Sequence, residues 1–264
     1  MINFFRKIRF LLLHKKRFNK YFIYALGEIL LVVIGILIAV GIGEWRFDIK
    51  KEKELIAYYQ GLSYDLNQDK KKLESLITLY DNTITAIVAE VDRMQLSSYN
   101  EETLYKNVPS WMVYTTEFAP NKSTFTEIIS SGKLQLFHNK KLKTQVLDVY
   151  GNLYPEIKFR QNTINEFIRN LRTDVLMDTY RWMNILDNDK NPNTDLILKN
   201  PKFKIHHQWV KNKQSVKYLK FENYLNLIRA GYIDSVKRYK NIKSTLETLV
   251  LQINNELEQV YQAN

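Results

Sequence analysis

The sequence predicts an all-α protein, a single N-terminal transmembrane helix followed by an antiparallel bundle of long helices. Three observations predict it. Phe22 to Gly43 is an apolar run with one carboxylate, Glu28, inside it. Only 8 Gly and 5 Pro occur among 264 residues, so little punctuates the chain. Beyond the run, apolar residues recur in steps of three and four, the period of a helix with one buried stripe.

The run has the length of a span. Phe22–Gly43 makes about 33 Å of helix at about 1.5 Å per residue, against a hydrocarbon core of about 30 Å. Starting it after Glu28 would leave Ile29–Gly43, too short to cross, so Glu28 belongs inside the first third. Tyr21 and Tyr24 at one end and Trp45 at the other suit the two interfacial aromatic belts. A cleaved signal peptide is the rival reading. Its apolar region would be about 7–15 residues ending in a small-x-small site, whereas this run is longer and leads into "GIGEWRF" without one. The segment therefore reads as an uncleaved signal anchor.

Charge sets the orientation. The net charge is +11, from 39 Lys and Arg against 28 Asp and Glu. Arg6, Lys7, Arg9, Lys15, Lys16, Arg17 and Lys20 precede the run with no acid among them, and the rest of the chain is nearly balanced. Basic residues are retained on the cytoplasmic side, so three parts are expected. Residues 1–21 form a basic cytoplasmic or interfacial segment at the lipid headgroups of the inner leaflet. Residues 22–43 form the transmembrane helix, and residues 44–264 form an extracytoplasmic helical bundle. The absence of cysteine rules out a disulfide framework and a thiolate nucleophile.

At about 100° per residue, Tyr24, Glu28, Val32, Gly35 and Ala39 share one helix face, with Gly43 at its margin. Gly35, Ala39 and Gly43 make a small-xxx-small series that lets backbones approach closely in lipid. An ionisable group in a span is a functional hypothesis by default, because its charged form is costly in hydrocarbon. Glu28, Gly35, Ala39 and Gly43 are thus the candidate helix interface, toward a second copy or a partner span. The plainer alternative has Glu28 reaching the headgroups near Lys20 or Arg17.

Two stretches carry a resemblance. "INFFRKIRF" with "KYFIYALGEILLVVIGILIAVGIGEW", matching at Phe5–Arg9 and Tyr24–Ala39, resembles the single-span bacterial membrane proteins of domain-of-unknown-function family 6090. A weaker likeness covers Ser123–Tyr150, around the family's Ser-Gly-Lys-Leu segment. Just after the span, "GIGEWRFD" departs from the more Asn-rich family pattern. The resemblance implies a membrane location, here the bacterial inner membrane, and a helical outer region on its periplasmic side, and brings no activity with it.

The outer region reads as helices throughout. Leu55, Tyr59, Leu62, Leu66, Leu73, Leu76, Tyr80, Ile84, Ile87, Val91 and Met94 form one stripe, with Asp69 filling an apolar slot and Gly61 a weak point. Residues 96–122 form a connector with a short helix near Glu101–Val108. Thr124 to Glu127 fits a capping box, with Gly132 at the C′ position of the same helix. Asn139 is placed to cap a helix whose stripe includes Leu142, Val146, Val149, Leu153, Ile157, Ile164, Phe167, Leu171 and Val175. Gly151 and Pro155 predict a kink or break in it. Pro201–Asn212 reads as a short helix burying Phe203 and Trp209, and Lys213–Gln262 as the last long helix. The long members are then Lys50–Gln95, Lys140–Tyr180 and Lys213–Gln262.

Chemistry is sparse. His206 and His207 are adjacent, not the i, i+4 pair that zinc favours. "DNDKNPNTD", Asp187–Asp195, lacks the Gly and terminal Glu of a calcium loop. No phosphate loop, nucleophile elbow or dinucleotide fingerprint occurs. The chain is therefore expected to be non-enzymatic, with no catalytic or metal residues, no cofactor and no nucleic-acid partner. Its expected partners are the lipid bilayer and another helix, and any small-molecule ligand is unknown. A scaffold or interaction protein fits best. A ligand-responsive sensor acting through a partner is the alternative, since about 21 residues ahead of the span leave little for a cytoplasmic effector. Tyr58, Tyr59, Tyr64, Tyr80, Tyr150, Tyr154, Tyr218, Tyr224, Tyr232 and Tyr239 are expected to pack ring-inward with hydroxyls at the bundle edge.

Overall fold

The computed structural model describes residues 18–107, 116–179 and 194–262, and among them every regular element is helical. The long elements are α1 (Phe18–Met94), α5 (Tyr154–Thr179) and α8 (Val216–Gln262). Between them come α2 (Glu101–Asn107), α3 (Ser123–Ser130), α4 (Lys140–Asp148), α6 (Thr194–Lys199) and α7 (Pro201–His207). The chain divides into two compact units, Met1–Ala57 and Tyr58–Asn264.

In the first unit the described chain is the start of α1, residues 18–57, which holds the apolar run and the charged turns after it. Its most apolar 18-residue window has a mean hydropathy of 2.7 and 0% of it is buried. Leu30, Leu37 and Ile42 all stand exposed. No proline lies between Phe18 and Met94, so nothing removes a ladder donor along α1.

In the second unit, α1 from Tyr58 onward buries Tyr59, Leu62, Leu66, Leu73, Leu76, Tyr80, Ile87 and Met94. Ile84 and Val91 are only half-buried, while Thr83 and Glu90 beside them are buried. Gly61 does not stop the helix. Ser63 bonds Asn254 at 3.0 Å and Gln95 bonds Glu222 at 2.8 Å, so α8 runs antiparallel to α1. Gln161 bonds Tyr239 and Lys220 bonds Asp178, so α8 is antiparallel to α5 as well. The crossover between Met94 and Lys140 carries the chain back and lets α5 run in the direction of α1.

Local chemistry accounts for the junctions. Asn139 caps α4 by accepting from the Leu142 N–H at 3.0 Å. Asn100 accepts from Glu102 and Thr103 at the start of α2, which ends at Asn107; Val108 falls outside the described residues. Most of the Asp187–Asp195 loop also falls outside them. Phe203 and Trp209 are buried, the first in α7 and the second in a 3₁₀ turn, Gln208–Lys211. The last helix starts at Val216, where the Ser215 hydroxyl accepts from Tyr218 N–H.

Three expectations are corrected. First, the Gly151–Pro155 stretch interrupts the α-helix, as expected, but the chain stays helical through it. A π segment, Val149–Leu153, joins α4 to α5. Proline has no N–H to give to the Gly151 carbonyl, and a widened turn absorbs the missing bond. Ile157 and Val175 are buried as expected, but the extra residue moves other parts of the buried stripe one position later. Tyr154, Asn165 and Ile168 are buried, whereas Leu153 and Ile164 are half-buried and Phe167 is 48% exposed. Second, the capping box does not form: Lys122 is the N-cap of α3 and makes no side-chain cap bond. Gly132 does take the left-handed conformation, at φ 68°. Third, most tyrosine hydroxyls are interior. Tyr80 donates to Thr116 O and Tyr218 to Met94 O, each at 2.8 Å, while Tyr64 lies exposed.

Candidate functional site

Two sets of residues on α1 bear on function, one in each unit. In the first unit, Glu28, Gly35, Ala39 and Gly43 are all exposed. Their spacing keeps them within an arc of about 80° at about 100° per residue. A Cβ added at Gly35 or Gly43 would meet nothing within 4 Å. The helix thus presents a shallow strip with a carboxylate two turns before Gly35. Of the basic set, Arg6, Lys7, Arg9, Lys15, Lys16 and Arg17 lie outside the described residues, as does His14. Lys20 lies in α1, with its side chain outside the description.

The second set is buried, and sequence reasoning found only one member. Asp65 and Asp69 sit one turn apart on α1, 5% and 0% exposed. Asp65 accepts from the Thr124 backbone N–H at 3.1 Å and the Ser123 hydroxyl at 3.3 Å, which supplies α3 with the cap its own sequence does not. Asp69 accepts from the Asn121 N–H at 2.9 Å and from the Tyr154 hydroxyl at 2.8 Å. Lys72 reaches Asp69 at 3.3 Å, Ala119 O at 2.9 Å and Asn121 Oδ1 at 3.0 Å. Gly61, one turn before Asp65, makes the approach possible, since a Cβ there would lie 2.8 Å from Thr124.

Burial raises the Asp69 carboxyl above the ordinary carboxylate range, and the Asn121, Tyr154 and Lys72 bonds oppose it. Burial, and then the Asp69 charge, drive the Tyr154 phenol well above its usual range. Tyr150 is raised in the same way and stacks on Phe125 with ring centroids 4.3 Å apart. These acids hold backbone donors, so the seat fastens Asn121–Thr124 to α1 and is built for cohesion. Only the apolar slot taken by Asp69 flagged it; Asp65 carried no signal, because its partners lie 58 and 59 residues away.

A second fastening closes α1. Glu90, 2% exposed, accepts from Tyr99 at 2.5 Å and from Arg93 at 2.6 Å. His207 is fully buried with Nδ1–H on the Phe203 carbonyl at 2.8 Å, and burial pushes its pKa down from 6.5 to about 4. Among the described residues no three His, Cys, Asp or Glu side chains gather to hold a metal ion.

A family model, described as "Family of unknown function (DUF6090)", matches residues 28–174. That stretch takes in Glu28, the carboxylate seat, the π segment and most of α5. No curated protein and no solved structure matches the chain.

Proposed function

The chain belongs to the DUF6090 family of unknown function, and from that premise we propose that it is a membrane-anchored helical interaction protein. Residues 22–43 anchor it, residues 1–21 stay cytoplasmic at the inner membrane, and the bundle works on the extracytoplasmic side. The observation that carries the reading is the apolar window of α1, mean hydropathy 2.7 with 0% buried. Water would penalise that surface heavily, at about 25 cal/mol per Å² of apolar area, whereas lipid would not. Seven basic residues before the run support the orientation.

Within the bilayer the Glu28, Gly35, Ala39 and Gly43 strip meets a second copy or a partner helix. Open space at Gly35 and Gly43 supports close backbone approach. No catalysis is assigned to the bundle, because its buried carboxylates already hold the chain together. Alkaline extraction of membranes, combined with reporters fused after Asn264, tests the anchor. The full chain should stay in the pellet, and only a reporter active outside the cytoplasm should function. Extraction into the soluble fraction, or a C-terminal reporter active only in the cytosol, overturns it.

A further inference from the structure

Within the second unit, a groove of about 160 Å³ opens between α5 and α8. Its walls are apolar: Leu153 at the end of the π segment, Ile157 and Ile164 of α5, and Ile242 of α8. The floor is polar but satisfied. Gln161 donates to the buried Tyr239 hydroxyl, and the Ser235 hydroxyl donates to Gly231 O at 2.9 Å. Ser235 is a small residue in a buried seam whose neighbours are Tyr232, Val236 and Tyr239, and that missing volume leaves the groove open. The π turn contributes too, because the shifted register leaves Leu153 at the groove instead of in the core.

Arg160 and Arg238 stand at the rim with side chains 46% and 38% exposed. Each gives its Nε–H to a carboxylate one turn back, Glu156 and Asp234, at 2.7 Å. The terminal Nη donors of both forks make no hydrogen bond among the described residues. Two free guanidinium edges above an apolar trough call for one chemistry. We propose that this groove binds a small amphipathic carboxylate, its short acyl chain against Leu153, Ile157, Ile164 and Ile242 and its headgroup on Arg160 and Arg238. Guanidinium forks match a carboxylate in plane, with charge-assisted bonds. An amine of the same length has no acceptor for the open Nη donors, and the Glu156 and Asp234 carboxylates it could seek are already engaged by Arg160 and Arg238; an alcohol offers the forks one uncharged acceptor. The inference does not depend on the anchor reading, because every residue in it belongs to the bundle.

Photolabelling tests it, using the full chain in lipid nanodiscs and an octanoate that carries a diazirine on its chain. Label is expected on peptides covering 153–164 and 235–242, displaced by plain octanoate but not by octanol or octylamine. The Arg160→Met, Arg238→Met double variant should lose labelling about tenfold or more. Ser235→Leu, which fills the trough, should lose it too. Both arginines are on the surface, so the double variant keeps the test valid if Ser235→Leu fails to fold. Label confined to other peptides, label that octanol displaces equally, or label unchanged in the double variant overturns the proposal.

Discussion

The two stretches of α1 use the same residue types to opposite ends. Between Phe22 and Gly43 the apolar side chains point outward and none of the most apolar window is buried; between Tyr59 and Met94 one apolar stripe is buried. Glycine divides the same way, with open space at Gly35 and Thr124 at 2.8 Å from a Cβ at Gly61. So does acid: Glu28 is exposed, whereas Asp69 is 0% exposed and fully engaged. The difference teaches that a residue type has no fixed meaning along one helix. What it packs against, protein or the proposed lipid, decides whether it contributes to cohesion or to association.

The largest effect expected is at the buried acid. Asp69→Ala strands the Asn121 N–H and the Tyr154 hydroxyl and should cost about 3–4 kcal/mol in urea denaturation of the full chain in detergent. Glu28→Ala should leave the same curve within about 0.5 kcal/mol. Equal losses at both positions would break the contrast.

Acid sensitivity comes next. The folded His207 pKa lies near 4 against 6.5 unfolded. The unfolded chain therefore binds more protons between those values, and stability is lost as pH falls from about 6.5 toward 4. Asp69 has the opposite sign: its raised carboxyl favours the folded state in acid and gives that up as pH rises through the folded value. Comparing the chain with His207→Phe isolates the histidine, whose share should be roughly 2–3 kcal/mol by pH 4. Parallel melting profiles for the two proteins across that range would refute it.

A smaller effect is expected at Gly61. Gly61→Ala should destabilise by about 1–2 kcal/mol through the Thr124 side chain. Thr124→Ala in the same chain should restore most of it, because alanine is otherwise about 1 kcal/mol better than glycine inside a helix. Additive losses would place the strain elsewhere. The smallest effect on stability belongs to Gly35→Leu, within about 0.5 kcal/mol. It should nevertheless abolish span association in a membrane two-hybrid assay if the strip is an interface. Unchanged association there, and in Glu28→Ala, would dismiss the strip.

By itself the sequence determined the helices and the exposed apolar run. Those follow from neighbours three and four residues apart, from capping by Asn139, and from the left-handed turn at Gly132. The seam that the same period predicts for α8, Leu225 to Val260, is buried as far as Ile253, while Leu257 and Val260 are only half-buried. Only the tertiary structure decided three other things: that Asp65 caps a helix 58 residues later, that a π turn moves part of the α5 stripe by one position, and that Ser235 opens a groove beneath two arginines. Each depends on an atom brought near by the fold and not by chain order. A helical period cannot register such a neighbour, because periodicity says which face is apolar and never what lies across from it.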